Sequence, residues 1–128
     1  MKHKVYLGHF GNIQKGKGLN ISVVRIPPSP KEIDTKNISV WLQDLSPSLS
    51  LLSRYKANQL TWEEFREEFL KEAKGKEFME TFAYVLALLK TRDVVLYCYC
   101  KAKDKHCHRF VLGELFQKAG YEVEELWY

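Results

Sequence analysis

The period of the hydrophobic positions changes several times along the chain, and each change predicts an element. Lys4–Leu7 (KVYL) is a short apolar run that stops at Gly8, the pattern of a first strand. Residues 11–18 (GNIQKGKG) hold three glycines and two lysines and predict a loop. Ile21–Ile26 (ISVVRI) is rich in β-branched residues, as in a strand buried on both faces, and Pro27, Pro28 and Pro30 end it. Ser29-Pro30 and Ser46-Pro47 each have the form of a helix start, the second followed by Leu49, Leu52 and Tyr55 on one side of a short helix. Thr61 and Glu64 make a capping box, after which Trp62, Phe65, Phe69 and Ala73 recur at helical spacing with glutamates between them. Gly75 interrupts, and Phe78, Phe82, Val85, Leu86 and Leu89 give the apolar face of a helix over about 77–90. Asp93–Cys100 (DVVLYCYC) is the strongest strand pattern, and Lys101–Lys105 a charged loop. Val111, Leu112, Leu115 and Ala119 predict a helix that stops at Gly120, before a last strand over Tyr121–Trp127.

Strands alternating with helical connections predict a single α/β domain over residues 1–128. Its sheet is expected to be mostly parallel, of about four strands, with helices on both faces. The length of 128 residues suits one core, and 45% hydrophobic with 28% charged residues excludes a disordered chain. The formal charge of +4 tilts the expectation toward an anionic partner, either a small molecule or nucleic acid. No apolar run is long enough to span a membrane, and the N-terminus has no secretory h-region, so the expected location is cytoplasmic. Lysine outnumbers arginine 15 to 5 and glutamate outnumbers aspartate 12 to 4, a bias of the kind seen in hyperthermophile proteins.

The candidate chemistry follows from where ligands bind in such sheets, beyond the carboxyl ends of the strands. His9 follows the first strand, Arg25 lies near the end of the second, and Cys98 and Cys100 end the third. His106, Cys107, His108 and Arg109 open the last main helix. A helix N-terminus favours a thiolate or a bound anion, and Arg109 offers a forked donor for phosphate or carboxylate. Cys98 in mid-strand reads first as a core thiol, while Cys100 and Cys107 read equally as structural or functional. Known motifs are mostly missing: no cysteine stands six residues before an arginine, as a phosphatase-like loop requires, and no glycine-rich phosphate fingerprint occurs.

Three stretches nevertheless resemble the bacterial and archaeal family called domain of unknown function 488, which includes the YeaO-like proteins. They are VYLGHF, ISVVRIPPSP and CYCKAKDKHCHRFVLGEL. The blocks VWLQDLSPSLSLLSRY and TWEEFREEFLKE are similar to the YeaO-like branch. The resemblance implies the fold and a Cys-His-Arg site, and names no reaction. It also implies an acidic residue two positions after the strand cysteine, where this chain has Cys100.

Three readings result. The first is a small enzyme or ligand-binding domain for an anionic, phosphate-bearing substrate. In it Arg25 and Arg109 hold the anion, Cys107 is the nucleophile or redox thiol, and His9 or His108 transfers protons. The second is a zinc or iron site with Cys100, Cys107 and His106 or His108 as ligands, although their spacing matches no common structural zinc pattern. The third is a non-enzymatic module that binds nucleic acid or protein through its basic loops. The first reading further implies that Arg109→Ala leaves stability nearly unchanged, while Leu115→Ala costs roughly 2–5 kcal/mol.

Overall fold

The computed structural model describes residues 3–10, 13, 16–25, 37–98 and 106–126. Five strands form one sheet: β1 (Lys4–His9), β2 (Leu19–Ser22), β3 (Val40–Trp41), β4 (Val94–Cys98) and β5 (Glu122–Glu125). Four helices accompany them: α1 (Leu49–Lys56), α2 (Trp62–Glu72), α3 (Lys76–Leu88) and α4 (His108–Lys118). The spatial order is β3-β2-β4-β1-β5 and every pairing is parallel, so the expected α/β class and parallel sheet are what the chain adopts.

β4 lies at the centre of the sheet, and its five residues are all buried. That is why VVLYC is continuously apolar instead of alternating. Leu7, Leu96 and Ile21 are register partners along one row and share a sheet face, as do Val5, Val94 and Leu19. α4 lies on that face. A Cβ built on Gly113 would come within 3.0 Å of Leu7 and 3.2 Å of Val123, so only glycine permits this approach of helix to sheet. The other helices stack outward from α4: Phe82 of α3 on Phe116 at 4.5 Å between centroids, Phe69 of α2 edge-on to His108 at 6.0 Å, and Tyr55 of α1 on Phe65 at 4.5 Å. On the opposite face the rings of Tyr97 and Phe10 stack at 6.4 Å. Residues 26–36, which include the Ser29-Pro30 helix start, lie outside the described residues.

Local differences from the expected elements have physical causes. β2 runs over Leu19–Ser22 instead of Ile21–Ile26, although the Val23 N–H still donates to the Tyr97 carbonyl at 3.0 Å. β3 is an unforeseen edge strand of two residues. α1 is capped by Ser48, whose hydroxyl accepts from the Leu51 N–H, so Pro47 stands before the helix and not inside it. Gly120 does end α4, at φ +96°. No described helix is long and apolar enough to cross a membrane.

Candidate functional site

Parallel register carries β1 and β4 to the same end of the sheet. His9 closes β1 and is the register partner of Cys98, which closes β4. Partners in a parallel ladder point to one face, and here that face is the one beneath α4. The chain then returns to place Cys107 as the N-cap of α4, in extended backbone, with His108 and Arg109 in the first turn. Cys98, Cys107, His108, Arg109 and His9 are all at least nine-tenths buried.

The two sulfurs stand 2.7 Å apart. A disulfide would need about 2.05 Å, so this contact is not a disulfide bond. The two sulfurs are in close contact, and a cation faces them: Arg109 Nη1 donates to Cys98 Sγ at 3.3 Å and reaches Cys107 Sγ at 3.9 Å. The guanidinium rests on the Phe110 ring, 4.7 Å from its centroid. His108 Nε2 lies 2.6 Å from the Val23 carbonyl oxygen, an acceptor with no proton to give. Nε2 therefore carries the hydrogen, and the lone pair of Nδ1 faces Cys107 Sγ at 4.0 Å. The order Val23 carbonyl, imidazole, thiol has the form of a nucleophile, its base and the group that orients the base.

The remaining expected residues fall as follows. Arg25 donates from Nη2 to the Ser46 carbonyl at 3.0 Å and from Nε to the Pro47 carbonyl at 3.3 Å, which ties the chain beyond β2 to the approach to α1. His106 is exposed and stacks on Trp62 at 4.8 Å and 13°, one residue from the thiol but facing away from it. Cys100 lies outside the described residues. Sequence reasoning took Cys98 first as a core thiol; it is buried, and it is also half of the sulfur pair. Lys4, at the far end of β1, has its ammonium held above its ordinary value by the Glu122 carboxylate.

Arg109 departs furthest from expectation. The sequence predicts that it faces an anion or a carboxylate partner and that its truncation is nearly neutral; among the described residues it is the largest of the fully buried side chains. Leu115, expected in the core, is only partly buried. The helix turned out to be rotated relative to the apolar count, because its first turn packs on the sulfur pair.

Cys98, Cys107 and His108 also form a cluster whose three donor atoms lie within 4.8 Å of one another; Cys107 and His108 belong to the expected set, Cys98 joins them, and Cys100 lies outside the described residues. A metal held by both thiolates at about 2.3 Å would part the sulfurs to roughly 3.8 Å in tetrahedral geometry. The donor types fit zinc or iron; the present 2.7 Å separation and the neighbouring guanidinium fit them less well.

No curated protein and no solved structure matches the chain. A family model, DUF488-N3a, described as the active DUF488-N3 subclade, matches residues 6–120. That span runs from β1 to the end of α4 and includes the sulfur pair, Arg109 and both buried histidines, so this chain belongs to the DUF488 family.

Proposed function

We propose that the protein is a small thiol-dependent enzyme in which Cys107 attacks an electrophilic centre of its substrate. The observation that carries this reading is the buried quartet of Cys98, Cys107, His108 and Arg109 at the carboxyl end of the parallel strands. His108 Nδ1 takes the Cys107 proton before attack, and the bond between Sγ and the substrate then forms as the bond to the departing group breaks. The proton then passes to the departing group, either from His108 or through His9 beside Cys98. Arg109 and the Cys98 thiol hold the negative charge on sulfur before attack. The word "active" in the description of the matching family model supports an enzyme over a binding module.

The substrate's anionic, phosphate-bearing character rests on the +4 charge and on Arg25, which has donors beyond the two it gives to Ser46 and Pro47. The nucleic-acid reading rests on Lys101, Lys103 and Lys105, which lie outside the described residues.

The test is the rate of alkylation by iodoacetamide, followed by peptide mass spectrometry. Cys107 is expected to be modified well before Cys98, and Arg109→Met to slow it. Equal, slow labelling of all three cysteines would end the nucleophile reading. A second reading, a zinc or iron centre on Cys98, Cys107 and His108, is favoured by the Val23 carbonyl, since an outer acceptor on the far imidazole nitrogen is usual for a metal-bound histidine. Stoichiometric metal in protein purified without a histidine tag would put this reading in place of the first.

A further inference from the structure

On the other side of the His106–Cys107 step lies a cavity of about 490 Å³, within the range of small-molecule sites. Its chemistry is unlike that of the thiol site. Leu7 and Val123 make the floor, Trp62, His106 and Phe110 supply ring walls, and Glu114 and Glu125 supply carboxylates. Among the described residues, no lysine or arginine lines it. Both hydrogen bonds from Arg66 to Glu114 end on Oε2, at 2.7 and 3.2 Å, so this ion pair is locally neutral and neither bond uses Oε1. Glu125 closes β5 as the register partner of Leu7, half-buried on the face that forms the floor.

Among the described residues Glu125 has no ion-pair partner, and a site with that carboxylate, the Glu114 carboxylate and aromatic walls disfavours a phosphate. It favours a single positive charge spread over a flat group with N–H donors. The carboxylates accept charge-assisted hydrogen bonds, and His106, stacked on Trp62, together with Phe110 bounds the flat group.

We propose that this cavity binds a small organic monocation bearing N–H donors, of the aryl amidine, guanidine or protonated heteroaromatic amine class. Glu125 is the counter-ion, Glu114 a second acceptor, and Trp62 with Phe110 the aromatic walls. The site does not depend on the reading of Cys107 as a nucleophile. It gives a chain of net charge +4 a binding place of opposite sign.

Three probes of the same ring size separate charge from shape: benzamidinium, neutral benzamide and benzoate. Calorimetric titration of the full chain is expected to show benzamidinium binding about tenfold or more tighter than benzamide. Benzoate is expected not to bind, and benzamidinium to quench tryptophan emission through Trp62. Glu125→Gln is expected to weaken benzamidinium about tenfold, and Trp62→Leu about threefold. Cys107→Ser is expected to leave its affinity unchanged, so the cavity and the thiol reading fail separately. Equal binding of all three probes, preference for benzoate, or no saturable binding by any of them would overturn the proposal. So would a Glu125→Gln protein that folds and binds as before. If that variant does not fold, the probe series on the unaltered protein decides alone.

Discussion

The N-termini of α2 and α4 begin two helices of equal length, and they are built by opposite rules. At α2 the Thr61 hydroxyl accepts from the Glu64 N–H and the Glu64 carboxylate accepts from the Thr61 N–H, with Glu63 and Glu64 facing the positive end of the helix dipole. At α4 the cap is Cys107, with no side-chain cap hydrogen bond, and the first turn holds His108 and Arg109 and no acid. Cysteine caps weakly, and a cation in the first turn opposes the dipole. α2 starts where local energetics favour a start. α4 starts where it can bring Cys107 to Cys98, and Arg109 there donates to Cys98 Sγ instead of capping the helix. Departures from local rules of this kind concentrate at functional sites.

The largest expected effect breaks the α4 side of this contrast. Arg109→Ala removes the counter-ion of the sulfur pair and opens a cavity in the core, and should cost about 3–5 kcal/mol in thermal or denaturant unfolding. Leu115→Ala, on a partly buried side chain, should cost about 1–2 kcal/mol. If Arg109→Ala is the milder of the two, Arg109 is not the partner of a buried anion. On the α2 side, Thr61→Ala should cost about 1 kcal/mol with no change in cysteine labelling. The smallest effect is the sharpest. Cys107→Ser supplies a hydroxyl suited to capping the helix, so it should shift stability by no more than about 1 kcal/mol in either direction while abolishing the fast-labelling thiol. A large loss of stability in Cys107→Ser would make the cysteine a packing residue.

The same contrast explains what could be read in advance. The α2 capping box, the α3 stripe and the β4 run are local patterns, and the structure places each within a few residues of expectation. β3 has two residues, too few to show a period. Sequence position also brought His9, Cys98, Cys107, His108 and Arg109 to one edge, because parallel strands put their ends together. It did not show that His9 is the register partner of Cys98, since register is set between strands distant in the chain. Nor did it show that Arg109 turns inward. The phase of α4 is fixed by Gly113 against Leu7, about a hundred residues away in the chain, and by the nearer Val123 and sulfur pair. His106 and Cys107 illustrate the limit: adjacent in sequence, one is exposed on Trp62 and the other is buried beside Cys98.

The claim that Cys98 and Cys107 share a negative charge held by Arg109 is tested most directly by the ultraviolet absorbance of the thiolate as a function of pH, in a Cys100→Ser background. This readout does not require a reagent to enter the site. The account predicts one thiolate per chain already present at neutral pH, with Arg109→Met moving its appearance to more alkaline pH. Thiolate absorbance that emerges only in the range of free cysteine, and emerges identically in Arg109→Met, would contradict it.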